Sequence, residues 1–381
     1  MADAVAPQQG TSVEPERLAA LGLWTIPGLG PESLETLRAC AGGRLAPLLT
    51  AKVADWAQVL APRLRQRLLA VDTHQPLAEL TLRRCAQARI EIAWKGDAAY
   101  PPELASCADA PPVLFHLGDP RGALPRRRLA MVGSRHPDAG FLPRARALAR
   151  AVAESGGCVV SGAADGVDRA CHYGALDAGR ETWAFVGSAL DQLDAGPARM
   201  LPAVLRGGGA YFSELPPGVR ASKESFPRRN RLISGSSHAV LVLRAGARSG
   251  ALYTAAAALR QGRPLYALPG EPDNPAAAGC IALLERGAAR ACAGVHAACE
   301  AVGLRPPVPG APPPGDRMAM EALSPEARAA HAHLVPGRAR DFEALLSEIG
   351  GPSGTLAGAL CELELAGRVV QLPGKRYERI D

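Results

Sequence analysis

Residues 129–176 read LAMVGSRHPDAGFLPRARALARAVAESGGCVVSGAADGVDRACHYGAL. Two short apolar runs, 129–132 and 158–160, each break into a glycine-containing loop. A segment of helical period follows each loop, over 143–154 and 166–176. An apolar run without polar alternation is what a strand buried on both faces requires, and helices alternating with such strands build a parallel sheet. The alternation continues downstream. Strands are predicted at 182–186, 210–212, 239–243 and 265–268, and helices at 197–205, 250–260 and 278–284. Upstream, the β-rich runs 90–94 and 112–117 flank a helix opened by proline after Tyr100. The pattern predicts an α/β fold, an extended Rossmann-like, doubly wound and mainly parallel sheet, over residues 85–302.

The flanks differ in texture. Residues 1–14 carry no element signal. Residues 15–75 read as a small helical domain, of SAM or helix-hairpin-helix type. Within it Ile26-Pro27-Gly28-Leu29-Gly30-Pro31 is a tight turn into a helix beginning near Pro31. Its backbone amides could touch phosphate, and a plain helix–helix turn is the other reading. Residues 303–322, opening GLRPPVPGAPPPGD, form a proline-rich linker. Over 323–381 come a helix near 341–349, a Gly-Pro-Ser turn, a helix near 355–366, and a hairpin around Pro373-Gly374. That is the outline of a winged-helix domain. Its second helix carries Glu362 and Glu364 and no Arg or Lys before Arg368, which favours a protein-contact or accessory role over reading a major groove.

A formal charge of +6 permits a polyanionic partner without demanding one. Nearly all the basic residues are Arg, and the lysines are Lys52, Lys95, Lys223 and Lys375. The nine cysteines include no C-x-x-C pair, so they read as buried thiols of a reducing compartment, neither a disulfide framework nor a metal site. The N-terminal stretch has no signal-peptide pattern and no run is long enough to span a membrane. Cytoplasm is the expected location and no membrane partner is expected.

Ligands of an open parallel sheet gather at the carboxyl ends of its strands. Leaving those ends are Gly133-Ser134-Arg135, Ser161-Gly162, and Ser249-Gly250, all suited to presenting backbone N–H groups to phosphate. After 210–212 comes FPRRNRLISGS (226–236), with Arg228, Arg229 and Arg231 around Asn230, introduced by Phe226 and Lys223. Arginine forks bind phosphate, and an aromatic face can stack a base. A solvated helix face is the alternative for the basic cluster, and a core position is the alternative for Phe226. The first loop lacks G-x-G-x-x-G, no acid ends the second strand, and no P-loop is present, which argues against a dinucleotide or nucleoside-triphosphate cofactor. No cofactor and no catalytic residue is assigned. Asp168 and His172 could share a helix face, but a helix-stabilising Asp with a buried or pairing His is the commoner case.

Taken together, these motifs resemble the DNA-processing protein A family (DprA, also called Smf). The resemblance rests on GSR (133–135), SGAADGVDRACHYGAL (161–176), SELPPG (213–218), FPRRNRLISG (226–235), ARSGALYTA (247–255), GRPLYALPG (262–270) and ERGA (285–288). It extends to YPPEL (100–104), PPVLFHLGD (111–119) and CELELAGRVVQLPGKRYER (361–379). The resemblance implies a sequence-independent single-stranded DNA-binding protein, not an enzyme, that protects incoming strands in natural transformation and loads the RecA recombinase. It implies a homodimer formed through the Rossmann-like domain. It places the DNA pocket on Gly133, Ser134, Arg135, Lys223, Phe226 and the 228–231 segment, lined by Ser161-Gly162 and Ser249-Gly250.

Three stretches depart from the family pattern: 136–141 (HPDAGF), 192–201 (QLDAGPARML), and Arg244, where an acid is usual. Two other functions are open to the same residues. A phosphoribohydrolase-like nucleotide-processing enzyme is one, though its PGG-x-GT loop is not matched. A transcription regulator using the winged helix is the other.

Overall fold

In the computed structural model, described over residues 13–62, 65–66, 69, 75–124, 126–138, 140–222, 224–305, 323–335, 338–365, 368–372 and 374–379, the apolar runs become strands of one sheet. Among the described residues these are β1 (Glu91–Trp94), β2 (Val113–Leu117), β3 (Arg128–Gly133), β4 (Cys158–Ser161), β5 (Thr182–Phe185), β6 (Ala210–Ser213), β7 (Ala239–Arg244), β8 (Leu265–Ala267) and β9 (Arg290–Ala291). Their order is β1-β2-β6-β5-β4-β3-β7-β8-β9. From β3 to β6 the chain winds outward in one direction, and from β7 it winds outward in the other. Strand β3 pairs in parallel with both β4 and β7, Leu129 lying opposite Val159 on one side and Ala239 on the other. The winding therefore reverses between β3 and β7, the place where an open α/β sheet leaves a crevice at its carboxyl edge.

The expectation of a mainly parallel sheet is met, with an antiparallel addition that was not foreseen. β2 pairs antiparallel with β6, and β1 antiparallel with β2. Strands β3 to β7 are buried along nearly their whole length, as their unbroken apolar sequences require. One face is covered by the helices Phe141–Glu154 and Val167–Asp177, the other by Ser225–Gly235 and Ala251–Arg260.

The basic stretch after β6 is the main local revision. It is an α-helix, Ser225–Gly235, where a helix had been only the alternative reading. Pro227 falls in its first turn, which a helix tolerates because those N–H groups have no intrahelical acceptor. Its inward face, Leu232 and Ile233, packs on the sheet.

The N-terminal helices are Pro15–Trp24 and Pro31–Cys40, the second beginning at the proline expected to open it, and they are joined through Gly28 at φ +92°. They share one apolar cluster with Val113, Phe115 and Tyr211 of the sheet. Trp24 Nε1 donates to the Glu214 carbonyl at 2.7 Å, and Arg17 pairs with Asp97 at 2.6 Å. Helix Gln75–Ala88 runs through the interval expected to separate the helical and sheet regions. Residues 306–322, most of the expected linker, lie outside the described residues, as do 1–12.

Beyond the linker, helices Pro325–Ala332, Phe342–Ile349 and Ser353–Leu365 pack around Leu345, Leu360 and Leu363. A small sheet, β10 (Arg340–Asp341), β12 (Arg376–Arg379) and β11 (Val369–Leu372) in that order, completes the winged helix. The first of these helices had not been read, although Ser324 caps it by accepting from the Ala327 N–H and Pro325 opens it. Among the described residues no helix is long and apolar enough to cross a membrane.

At the amino end of β3, Arg128 is fully buried. Its guanidinium pairs with Glu103, donates to the carbonyls of Ser236 and Ala123, and lies 5.0 Å from the Trp183 ring. Glu103 also meets His238 Nε2 at 3.2 Å. Burial pushes the Glu103 carboxyl up, but the His238 hydrogen bond and the Arg128 charge outweigh it and hold the group at about 2. A carboxylate depressed in the folded state stabilises fully above its unfolded value of about 4.3, and that stabilisation fades as pH falls toward the folded value. Glu103→Gln is therefore expected to lower stability by something on the order of 3 kcal/mol at pH 6, with the gap to the parent closing between pH ~4.5 and ~2. Urea midpoints across that range test it, and a gap independent of pH contradicts it.

Candidate nucleic-acid interface

The crevice at the β3/β7 reversal is a cavity of about 390 Å³. Its floor is the loop leaving β3, Gly133 to His136. One wall is the first turns of helix Ser225–Gly235, through Phe226, Arg229 and Asn230. The opposite wall is the start of helix Ala251–Arg260, through Ser249, Gly250, Tyr253 and Thr254. Of the residues predicted for the site, the structure brings Gly133, Ser134, Arg135, Phe226, Arg229, Asn230, Ser249 and Gly250 into this one cavity.

The β3 loop is held by backbone and side-chain bonds. Ser134 N–H donates to the Arg244 carbonyl at 2.7 Å, and the Ser134 hydroxyl accepts from the His136 N–H at 3.1 Å. Gly166, at φ +83°, lets the β4 loop press against it. A Cβ there would stand 2.4 Å from the Ser134 carbonyl oxygen. Arg135 is thereby presented at the surface, its guanidinium carbon 5.0 Å from the Phe226 ring centroid.

Arg229 has a different role from the one its sequence suggested. It is 4 % exposed, and its guanidinium donates to the carbonyls of Gly162 and Phe185, where β4 and β5 end. Its Nε donates to Asn230 Oδ1 at 3.2 Å, and Asn230 Nδ2 donates to the Gly250 carbonyl at 3.2 Å. Burial lowers the Arg229 pKa to about 10, against the raising charge of Asp168. It stays protonated at neutral pH and puts positive potential at the back of the cavity. Burial raises the Asp168 pKa, against Arg229 and a hydrogen bond from the Gly133 N–H at 3.3 Å.

Of the remaining predicted residues, the described Ser161, Gly162, Arg228 and Arg231 do not line the cavity. The Ser161 hydroxyl is fully buried and donates to the Met131 carbonyl, so Ser161 supports the cavity from behind. Gly162 does the same, through its carbonyl to Arg229. Arg231 points to the far side of its helix, where it forms a buried pair with Glu214 and donates to the Asp109 carbonyl at 2.5 Å. Arg228 faces a second cavity of about 260 Å³, beside Trp24 and the 26–29 turn. Lys223 lies outside the described residues. Phe226, which lines the cavity, is half-buried, with Arg135 over its ring and Gly187 close against its Cδ1–Cε1 edge.

Sequence reasoning missed Tyr253, which lines the cavity at 59 % exposure. The signal was present in ARSGALYTA, since the first turn of a helix that starts at a strand's carboxyl end faces the crevice. Asp168 and His172 do not pair: the His172 ring is buried against Thr182 Oγ1 at 2.8 Å, and burial lowers its pKa to about 3. Two of the departures from the family pattern meet each other. Arg244 contacts Asp138 at 2.9 and 3.0 Å and lies 4.3 Å from the Phe141 ring. Among the described residues no cluster of His, Cys, Asp and Glu is placed to hold a metal ion.

A reversing parallel sheet with helix-starting loops around a basic crevice, followed by a winged helix, defines a Rossmann-like α/β protein with an appended winged-helix module. The family described as DNA recombination-mediator protein A matches residues 91–303, more than half of the chain, and the DprA winged helix domain matches 309–375. The chain belongs to the DNA recombination-mediator protein A (DprA) family. It is 38% identical over 268 residues to the putative DNA processing protein DprA of Mycobacterium tuberculosis, covering 68% of this chain and 67% of that one. It is 40% identical over 190 residues to Protein Smf of Escherichia coli, covering 50% of each. The chain thus spans about half the length of the Smf relatives of Escherichia coli and Synechocystis that it matches. The X-ray structure of DprA from Streptococcus pneumoniae superposes with a TM-score of 0.62 at 26% identity, covering 75% of this chain and 97% of that one.

Gly162 sits where a Cβ would lie 2.6 Å from Asp168 Oδ2 and 2.8 Å from an Arg229 guanidinium nitrogen. Gly162→Ala is expected to force the two charged groups apart and to cost roughly 1–3 kcal/mol of stability. Chemical denaturation reads this directly, and an unchanged midpoint contradicts the packing described.

Proposed function

We propose that the chain binds single-stranded DNA without sequence preference in the cavity between β3 and β7, as a non-enzymatic mediator. In the cell it would protect incoming strands during natural transformation and load the RecA recombinase on them, working as a homodimer joined through the sheet domain. Family membership supports the DNA-processing role. The single observation that carries the site is the convergence of exposed Arg135 and buried, cationic Arg229 on one crevice rimmed by the loops at Gly133-Ser134 and Ser249-Gly250. An arginine fork suits phosphate, which carries no sequence information.

On this reading residues 85–302 would carry the strand, with 15–75 and 323–381 as accessory domains about the 303–322 linker. Gly133, Ser134, Ser249 and Gly250 line the same crevice and would shape it around the strand.

Arg135→Ala tests it. Binding of labelled oligonucleotides, followed by fluorescence anisotropy across a salt series, is expected to weaken alike for all sequences. The slope of log affinity against log salt should flatten by about 0.7, the equivalent of one phosphate on a single strand. Equal slopes for variant and parent would refute the assignment.

A further inference from the structure

Nonspecific capture of a strand needs charge for the backbone and an aromatic face for the bases. The charge has been located; the face has not. Phe226, the aromatic nearest the basic residues, is already engaged. Arg135 covers its ring and Gly187 crowds one edge, so a base could stack on it only by displacing the guanidinium that should hold phosphate.

The other six-membered aromatic ring of the cavity is Tyr253. It stands in the first turn of helix Ala251–Arg260 and is 59 % exposed. Among the described residues its ring stacks on no other aromatic and its hydroxyl makes no hydrogen bond. Its backbone is nonetheless anchored. Tyr253 N–H donates to the Gly250 carbonyl at 3.2 Å, and the same carbonyl accepts from Asn230, which is joined to Arg229. A free ring on a fixed base, across a crevice from a cation, is the arrangement a stacking platform requires. An exposed aromatic elsewhere on the surface would call for no explanation.

We propose that Tyr253 is the base-stacking platform of the site, with the Arg135–Phe226 pair as the charged wall opposite. The proposal rests on the single-strand reading above. It adds that the site selects unpaired nucleotides, because bases within a duplex already have both faces covered by their neighbours. Stacking uses a face common to all bases and so leaves sequence preference small.

Full-length parent, Tyr253→Ala, Tyr253→Phe and Arg135→Ala are compared by anisotropy on oligo-dT and on an abasic oligonucleotide of equal length. Tyr253→Ala is expected to weaken oligo-dT binding roughly 5- to 150-fold. Tyr253→Phe should bind like the parent, since the ring and not the hydroxyl stacks. On the abasic strand the Tyr253→Ala penalty should fall below about twofold. If the parent binds oligo-dT and Arg135→Ala weakens it, while Tyr253→Ala binds like the parent, the platform is refuted and the site reading stands. An equal Tyr253→Ala penalty on the abasic strand also refutes stacking. If the parent does not bind oligo-dT at all, the site reading falls and the platform with it.

Discussion

The architecture of the cavity depends on one buried cation. Taking a charged side chain out of water costs several kcal/mol, which hydrogen bonds to the charge must offset. Arg229 meets this by donating to carbonyls at the ends of β4 and β5 and to Asn230, which passes the connection on to the loop after β7. Charge-assisted hydrogen bonds of this kind contribute roughly 1.5–3 kcal/mol each, enough to offset the burial. The result is that three strand ends and one helix are fixed with respect to each other. The exposed Arg135 and Tyr253 are then presented from a frame that does not need to rearrange.

A second hub couples this frame to the rest of the chain. Glu214, buried just after β6, accepts from Arg231 through its carboxylate and from Trp24 through its carbonyl. The site helix and the N-terminal helices are therefore held by one residue, on opposite sides of it. The same logic of compensation explains two oddities of sequence. Arg244 ends β7, and the loop after β3 supplies Asp138 to meet it. Read separately, each residue put the pocket geometry in doubt; in the fold they form one charge pair.

Most of the sheet was legible because burial on both faces leaves strands such as β3 and β7 no polar residues to confuse the period. The antiparallel β1 and β2 were recognised as β-rich, but their place beside β6 is set by tertiary pairing that short runs do not encode. Helix Ser225–Gly235 was obscured by Pro227 and the arginines, whose polarity interrupts the apolar period although both are compatible with a first turn and an outer face. The site was legible in its loops and only partly in its charges. FPRRNRLISG shows three arginines, but not that Arg229 turns inward to strand carbonyls, that Arg231 seeks a buried carboxylate, or that Arg228 faces another cavity. Those fates depend on which carbonyls and acids the sheet places nearby. Tyr253 was overlooked because an aromatic in a helical apolar pattern ordinarily reads as core.

The central proposal is that a single strand would be held at the reversal between β3 and β7. Hydrogen–deuterium exchange of the full-length protein, with and without saturating oligo-dT, tests it most directly. Slowed exchange in 133–136, 225–235 and 249–254, with 323–365 unchanged, is the predicted result. Protection confined to the winged helix, or to the 26–29 turn, would contradict it.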